Sequence, residues 1–265
     1  MRIINYKTDN FVSSHRGTLP FVLSCPHDGG EDMAVTERTD NNQPTTACPY
    51  GGLKKGRDVN TAIITKGIAE KILEITGETP YVVIANFKRK FIDGNRPASE
   101  DVPNCAFVDE KARVAYNRYH DTIEDFCKEI SRNQNAYGFL FDVHGTNGED
   151  PSADLYLGTQ NGKTIFQGFG RERLFLRRGL RTLFAEIVRK DNNNLDFGYK
   201  VHPFKASEEE IGAVSGGHTI AFHSQFINAI QLEIDDRIRQ NEEYRTYFME
   251  DAAHCIVNFV SQYFK

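Results

Sequence analysis

The stretch GFLFDVHG, residues 138–145, decides the fold, because a short apolar run leads directly into a histidine beside a glycine. Residues 21–30, FVLSCPHDGG, have the same form. Short apolar runs bounded by Gly, Pro or Asn predict strands of a sheet that is covered on both faces. Three further runs extend the prediction to five strands: YVVIANF (81–87), ADLYLG (153–158) and INAIQLEI (227–234).

Helical patterns lie between these runs, at residues 58–76, 110–130, 171–190 and 241–264. In the first of them, isoleucines recur every four residues from Ile64 to Ile72 and form one apolar stripe. Strands that alternate with helices of this length predict an α/β fold. No repeat or linker interrupts the pattern, so we expect a single domain over residues 1–265. The segments 28–57 and 191–226 are long and irregular, which is typical of functional or mobile loops.

The composition excludes several classes of protein. The 265 residues include 32 Lys and Arg against 37 Asp and Glu, for a net charge of −5. A chain with 26% charged and 11% aromatic residues is not disordered, and its mild acidity disfavours binding to nucleic acid or to a membrane surface. No apolar run is long enough to span a membrane, and the first residues lack the apolar stretch of a signal peptide. Five cysteines without a CxxC spacing predict free thiols in a reducing compartment, so we expect a cytoplasmic protein.

Two histidines follow the ends of predicted strands. In open α/β sheets, ligands bind beyond the carboxyl ends of the strands, and His27 and His144 stand at such ends. Either the two imidazoles share one metal ion, or they are separate loop histidines with local hydrogen bonds. Asp142 lies two residues before His144 in the same strand, so both side chains point the same way. Asp142 therefore either orients His144, contacts substrate or caps a neighbouring turn.

A zinc site in a hydrolase typically has three protein ligands and one open position, so two histidines need a carboxylate. Asp58 stands at the start of the first predicted helix, where it is either a ligand or a helix N-cap. Glu31 follows His27 by four residues in a glycine-rich loop, where it is either a ligand or a solvated charge. Spacing alone does not decide between the two carboxylates.

The run KRKFIDGNRP directly follows the second predicted strand, at the same sheet edge as the histidines. Arg96 is suited to bind a substrate carboxylate in a bidentate manner, with Asn95 as an amide donor, or else it forms an internal salt bridge. We expect Arg89 to be a surface charge and Asp93 to brace Arg96.

Glu233 lies within the last apolar strand, where an unpaired charge is costly. It is either a general base beside a metal-bound water or the partner of an arginine such as Arg237. Just upstream, Gly216 and Gly217 predict a flexible loop that ends in His218, because glycine adopts unusual dihedral angles.

Three other polar side chains are weaker candidates for the site. Tyr119 and His120 of the second helix either line the site or pack in the core. His223, like His218, either reaches the site or is exposed in its loop.

Five motifs occur in one order along residues 21–235: PHDGG, DVNT, DGNR, DVHG and QLEI. In this order they resemble the N-formylglutamate amidohydrolase family, which is similar in fold to zinc carboxypeptidases and to succinylglutamate desuccinylase and aspartoacylase. The resemblance implies an α/β fold of the zinc-carboxypeptidase-like (phosphorylase/hydrolase-like) type. This fold has three layers, a mixed central sheet with helices on both faces.

The resemblance also implies a single Zn²⁺ cofactor. Its ligands are then His27, Asp58 and His144, with Glu31 as the rival of Asp58. In the zinc carboxypeptidases the ligand carboxylate opens the helix behind the first strand, and this position favours Asp58.

The implied activity is zinc-dependent hydrolysis of a C–N amide bond in a small N-acyl amino acid such as N-formylglutamate. In this reading Glu233 is the general base and acid, and Asn95 and Arg96 receive the carboxylate of the substrate. The remaining candidates for substrate binding are Asp142, Gly216, Gly217 and His218.

One stretch departs from the family pattern. Formylglutamate hydrolases carry an Arg and a Tyr-Gly pair after the double glycine, whereas this chain reads GGHTIAFHS there. Two alternatives therefore stay open, a carboxypeptidase-like hydrolase of short peptides or amino-acid amides and an inactive relative that binds a carboxylate ligand. In each case the expected partner is a small carboxylate-bearing molecule, with no nucleic acid and no membrane, and the oligomeric state is open.

Overall fold

The structure is a computed structural model, and it describes residues 3–39, 48–50, 52–101, 104–133, 138–148, 152–165, 173–190, 192–194, 196–205, 208–212 and 214–263. The strands are β1 (Lys7–Thr8), β2 (Val12–His15), β3 (Phe21–Cys25), β4 (Tyr81–Ala85), β5 (Phe139–Thr146), β6 (Leu155–Gly158), β7 (Val188–Lys190), β8 (Asp196–Gly198), β9 (Val201–His202) and β10 (Asn228–Asp235). The helices are α1 (Thr61–Thr76), α2 (Arg113–Asn133), α3 (Arg173–Ala185), α4 (His218–His223), α5 (Asp236–Gln240) and α6 (Glu242–Tyr263). None of these described helices is long and apolar enough to cross a membrane.

Eight strands form one mixed sheet in the order β1-β2-β4-β3-β5-β10-β6-β9. The four central strands β4, β3, β5 and β10 run parallel to one another. Strand β2 flanks them antiparallel on one side, and β6 does so on the other. The carboxyl ends of the four parallel strands therefore meet at one edge of the sheet, where the ligand crevice of an open α/β sheet lies.

Helices cover both faces of the sheet, as predicted. Successive side chains of a strand point to opposite faces. Leu23 of β3 accordingly belongs to a hydrophobic cluster that includes residues of α1, α3 and α6, whereas its neighbour Val22 belongs to one that includes residues of α2 and α4. The three-layer α/β prediction is confirmed.

Helix α1 carries the apolar stripe that its sequence predicts. Ile64, Ile68 and Ile72 are fully buried, and the helix ends at Gly77, which adopts the left-handed conformation with φ of 74°. The helix begins at Thr61, three residues after the predicted start at Asp58. Asp58 does not cap it, because the carboxylate that accepts a hydrogen bond from the first turn is that of Asp28, bonded to the backbone N–H of Ala62 at 3.0 Å.

The prediction of one helix over residues 171–190 is wrong at its end. Helix α3 stops at Ala185, and Val188–Lys190 form β7, which pairs antiparallel with β8 in a separate two-stranded sheet. The segment 191–226 also contains β9 and α4 in addition to β8. These elements are short, and a two- or three-residue strand carries no readable period of hydrophobicity.

Cys48 and Cys105 form a disulfide, with their Cα atoms 5.6 Å apart. The expectation of five free thiols is wrong for this pair, while Cys25, Cys127 and Cys255 are free and buried. The paired cysteines are 57 residues apart in sequence, so no short spacing motif marks them. The free-thiol basis for a cytoplasmic location is thereby removed, and the location stays a prediction.

Candidate functional site

A cavity of about 220 Å³ lies at the carboxyl ends of the parallel strands. Segments that are distant in sequence meet there, because β3, β4, β5 and β10 are neighbours in the sheet. The predicted site residues that line the cavity are Asp58, Asn95, Arg96, His144, Gly216, Gly217 and Glu233. The sheet order therefore brings most of the predicted site together.

His27, Asp58 and His144 form one buried group whose candidate ligand atoms all lie within 4.8 Å of one another. The Oδ2 atom of Asp58 is 3.2 Å from Nδ1 of His27 and 3.4 Å from Nδ1 of His144. Two ligands held tetrahedrally at about 2.0–2.1 Å from a zinc ion are roughly 3.3 Å apart. The carboxylate is therefore spaced from each imidazole as two ligands of one zinc ion are.

A carboxylate fixes the outer nitrogen of each imidazole. His27 donates from Nε2 to Asp93 at 2.6 Å, and His144 donates from Nε2 to Asp142 at 2.7 Å. A neutral imidazole that is protonated at Nε2 has its lone pair at Nδ1, so both lone pairs point toward Asp58. Carboxylates that orient histidines in this way are typical of the outer shell of metal sites.

Asp142 is completely buried and does not line the cavity. Its second oxygen accepts a hydrogen bond from the hydroxyl of Ser24 at 2.5 Å. This placement does not fit a residue that contacts substrate. It fits the alternative in which Asp142 orients His144.

Asp58 lies among positive and polar groups. Its Oδ1 accepts a hydrogen bond from Arg89 at 3.1 Å, and its Oδ2 accepts one from the backbone N–H of Gly145 at 3.1 Å. Burial acts to raise the pKa of Asp58, but His27, His144 and Arg89 together hold it well below its usual range. The carboxylate is therefore ionised at neutral pH, as a metal ligand must be.

Arg89 differs from its predicted role, and Asp93 braces Arg96 through the backbone, because its carbonyl accepts from the N–H of Arg96 at 3.2 Å. Arg89 is buried rather than a surface charge, and it pairs with both Asp58 and Asp93. Asp93 makes no ion pair with Arg96; its second oxygen accepts from Arg89 at 3.1 Å and from the buried Arg38 at 3.3 Å. Sequence patterns missed this network because Arg89 and Asp93, which share the run KRKFIDGNRP, meet Arg38 and Asp58 from a part of the chain that is distant in sequence.

The surroundings of His144 favour a positive charge. Burial acts to lower the pKa of His144, but Asp142 and Asp58 outweigh it and raise this pKa to about 10. A divalent cation competes with a proton for a ligand atom in such surroundings. The donor set of two imidazoles and one carboxylate is one that zinc prefers.

Arg96 is buried and is one of the residues that line the cavity. Its Nε and Nη2 donate to the carbonyl of Gly52 at 3.0 and 2.9 Å, and its Nη1 donates to the carbonyl of Asn95 at 2.8 Å. A guanidinium has five N–H donors, so two are left over. Among the described residues no carboxylate pairs with Arg96, so the salt-bridge alternative is not observed.

Glu233 is buried in β10 and lies directly opposite His144 of β5 in the parallel ladder. Its Oε1 accepts a hydrogen bond from the amide of Gln231 at 2.8 Å, which leaves Oε2 without a hydrogen-bond partner among the described residues. Burial raises the pKa of Glu233 to about 7. Arg237, the alternative partner, pairs with Asp154 instead.

The loop before α4 closes against Asn95. The side-chain oxygen of Asn95 accepts from the backbone N–H of Thr219 at 2.9 Å, and the N–H of Gly217 donates to Gln231 at 2.9 Å. A Cβ atom on Gly217 would lie 2.1 Å from the Asn95 amide nitrogen, and Gly216 has a φ of +121°. Both glycines are therefore required by the close approach of this loop to the cavity.

His218 and Glu31 are not among the residues that line the cavity. His218 is half-buried and stacks on Phe222, with ring centroids 5.4 Å apart. Glu31 is exposed, and its backbone forms a bridge to Phe87. The carboxylate grouped with the histidines is Asp58 and not its rival Glu31.

Several lining residues were not singled out from the sequence, among them Tyr50, Lys54, Arg57 and Gln231. Gln231 had a usable signal, because it and Glu233 are polar side chains two residues apart in an otherwise apolar strand and hence share one face. The other three lie in the long loop after Cys48, where nothing in the local sequence indicates which side chains turn toward the sheet.

Comparison with solved structures identifies proteins of the same fold. N-formylglutamate amidohydrolase from Ralstonia eutropha JMP134 superposes with a TM-score of 0.63 and 16% sequence identity, over 96% of this chain and 98% of that one. A gene product of Agrobacterium tumefaciens superposes with a TM-score of 0.61 and 13% identity, over 96% and 94% of the two chains. No protein-family model and no curated protein sequence matches the chain. At these identities the likeness establishes the fold alone.

Proposed function

We propose that this protein is a zinc-dependent amidohydrolase that cleaves the amide bond of a small N-acyl amino acid. One observation carries the proposal. Two members of a zinc-like ligand set, Asp58 and His144, line one cavity of about 220 Å³ together with a carboxylate whose pKa is near neutrality and an arginine with spare donors. The third member, His27, is buried in contact with Asp58. Each of the three groups supplies a different requirement of metal-assisted amide hydrolysis.

His27, Asp58 and His144 are the residues that would hold the metal ion. A zinc ion bound to them would polarise a carbonyl group and lower the pKa of a water molecule. Asp93 and Asp142 keep the two imidazoles in the orientation that this binding requires.

Glu233 is proposed to move the proton of the reaction. Its Oε1 is held by Gln231, so Oε2 is the atom that takes a proton from water and returns it to the leaving nitrogen. A pKa of about 7 suits this exchange, because the carboxyl group then gains and loses a proton at similar cost near neutral pH.

Arg96 is proposed to bind the carboxylate of the amino-acid part of the substrate. Its two remaining N–H donors match the two oxygens of a carboxylate, and no acidic side chain of the described structure competes for them. Asn95 forms the adjoining wall of the cavity. The anionic substrate thus meets a positive site in a chain whose net charge is −5.

N-formylglutamate is the first substrate to examine, because a protein of the same fold bears the name N-formylglutamate amidohydrolase. The chain reads GGHTIAFHS where the family carries an Arg and a Tyr-Gly pair. A substrate screen is therefore needed to identify the acyl group and the amino acid. We propose a cytoplasmic, single-domain enzyme whose partner is a small molecule, with no nucleic-acid or membrane partner.

The test combines metal analysis with a substrate screen. The purified protein is expected to contain one equivalent of zinc and to hydrolyse at least one member of a panel of N-formyl and other N-acyl amino acids. Zinc without turnover on this panel or on dipeptides would favour a carboxylate-binding protein without catalysis. Protein that binds no zinc would contradict the proposal.

A pair of substitutions tests the metal site. Asp58→Ala is expected to lose zinc and activity together, because it removes one of three ligands. Glu31→Ala is the matched control, since Glu31 is an exposed carboxylate in the loop after β3. This substitution is expected to leave zinc content and activity unchanged. The reverse result would assign the third ligand to Glu31.

A further inference from the structure

Two buried histidines lie behind the cavity wall and belong to neither the metal site nor the cavity lining. His120 is on α2 and His223 is on α4, and both side chains are almost completely buried. Their rings stack with centroids 5.3 Å apart. The burial of two imidazoles calls for an explanation, because each ring has two nitrogen atoms that require hydrogen-bond partners.

The hydrogen bonds of the pair determine which nitrogen carries each proton. Nε2 of His120 lies 2.9 Å from the carbonyl of Gly94, which only accepts, so His120 is protonated at Nε2. In the neutral ring its Nδ1 is then an acceptor. Nε2 of His223 lies 3.0 Å from this atom and must be the donor. Burial lowers the pKa of both histidines, His223 to about 3, so both rings are neutral at pH 7.

Gly94 is the centre of the turn that supplies the substrate-facing groups. The residue before it, Asp93, holds His27, and the residues after it are Asn95 and Arg96. The turn has other supports from the helices. The hydroxyl of Thr219 in α4 donates to the same Gly94 carbonyl at 3.3 Å, and its N–H donates to the side chain of Asn95 at 2.9 Å. The hydroxyl of Tyr116 in α2 donates to the carbonyl of Arg96 at 2.8 Å. The bond from His120 is the shorter of the two that the Gly94 carbonyl accepts, so it helps to fix the peptide group that lies between the metal site and the carboxylate-binding residues.

We propose that His120 and His223 are positioning residues, which as a hydrogen-bonded pair set the orientation of the Asn95-Arg96 turn toward the carboxylate of the substrate. The inference rests on the proposed function for the identity of the bound group. His223 holds His120 in the tautomer that donates to Gly94, and His120 transmits this constraint to the turn.

The alternative is that the two rings only fill space. Nδ1 of His223 is buried without a hydrogen-bond partner among the described residues. An apolar side chain would fill the same space without burying an unpartnered nitrogen. The ring is therefore better explained by the bond that its other nitrogen donates.

Paired substitutions at position 223 test the role. His223→Leu removes the donor and keeps an apolar side chain, whereas His223→Gln places an amide donor near the position of Nε2. We expect His223→Leu to raise KM for the best N-acyl amino acid about tenfold with kcat nearly unchanged and zinc retained. We expect His223→Gln to restore KM to within about threefold of the original protein. Equal effects of the two substitutions, or an unchanged KM in His223→Leu, would overturn the inference.

A second measurement does not depend on hydrolysis. Nitrogen-15 NMR of the imidazoles is expected to show both histidines neutral and protonated at Nε2 at pH 7. The Nε–H signal of Arg96, bonded to the carbonyl of Gly52, is expected to shift or broaden in His223→Leu and not in His223→Gln. If the protein proves to have no hydrolytic activity, the proposed function fails, and this signal alone decides whether the pair orients Arg96. An Nδ1-protonated His120, or an Arg96 signal that does not respond, contradicts the inference even if the enzyme is active.

Discussion

The pKa values of two buried carboxylates in the cavity are shifted in opposite directions, and the surroundings of each carboxylate explain the difference. Burial acts on both, but Asp58 faces His27, His144 and Arg89, which hold its pKa well below the usual range. For Glu233 burial prevails and raises the pKa to about 7. A pair of acids separated in this way is typical of sites in which one carboxylate stays ionised and the other carries a proton.

The roles of these acids lead to a prediction for Glu233→Gln. The amide keeps the size of the side chain but accepts no proton, so kcat is expected to fall by about 10²–10⁴ while zinc content is unchanged. Steady-state kinetics and elemental analysis on the same sample measure both. Glu70→Gln, at an exposed position of α1, is the control and is expected to be neutral. Full activity of Glu233→Gln would exclude Glu233 as the base.

At the scale of elements, one loop of the chain joins the disulfide to the cavity. It begins at Cys48, passes Gly52, whose carbonyl accepts two hydrogen bonds from Arg96, and ends at the first turn of α1. The carbonyl of Lys54 in this loop accepts from the buried Arg38, which also donates to the carbonyl of Cys105. The wall that faces Arg96 is thus tied to the segment that carries Cys105.

We expect Cys48→Ser to lower the free energy of unfolding by about 4 kcal/mol, because the crosslink spans 57 residues and restricts the unfolded chain. Urea denaturation with and without a thiol reductant measures the effect. Reductant is expected to destabilise the original protein and to have no effect on Cys48→Ser. An original protein that is insensitive to reductant while its disulfide is shown to be reduced would contradict the prediction.

The approach of the loop before α4 to Asn95 leads to a prediction at the same scale. Gly217→Ala would place a Cβ atom 2.1 Å from the Asn95 amide, so the loop or the amide must move. We expect a loss of about 1–3 kcal/mol in stability together with a raised KM. Gly30→Ala is the matched control, because a Cβ atom there meets no atom within 4 Å. Similar effects of the two substitutions in thermal melts and kinetics would show that the contact is unimportant.

At the scale of the whole molecule, three histidines that are neutral in the fold make its stability depend on pH. Burial, the largest cause, lowers the pKa of His120 well below its usual value, that of His218 to about 4 and that of His223 to about 3. The charged or titratable groups near these histidines are mainly the other histidines of the set. His218 also faces Asp93 and Arg96. The unfolded chain binds protons near pH 6.5, whereas the folded chain does not, so acid favours unfolding.

The contribution of these three histidines to the free energy of unfolding is therefore expected to be constant above about pH 7 and to fall below it. The loss between pH 7 and pH 5 is about 2 kcal/mol for each histidine. Urea denaturation at the two pH values measures it. His218→Gln removes one of these groups, so the loss between pH 7 and pH 5 is expected to be smaller in this variant by about 2 kcal/mol. An unchanged pH dependence in this variant would contradict the assignment.

The sequence by itself determined the alternation of strands and helices and the position of polar groups at strand ends. Hydrophobic period is a local property, so the core strands, the stripe of α1 and the placement of His27, His144 and Glu233 followed from neighbouring residues. Elements of two or three residues, such as β1 and β9, were missed because they contain too few residues to show a period.

Only the tertiary structure decided which distant side chains meet. His27 contacts Asp58 and Asp93, which are 31 and 66 residues away, and the disulfide joins residues 57 apart. The order β4-β3-β5-β10 and the course of the loops set these distances, and no local pattern records them. For this reason the sequence supplied two rival carboxylates and judged Arg89 to be exposed, whereas the fold grouped Asp58 with the histidines and buried Arg89 between two acids.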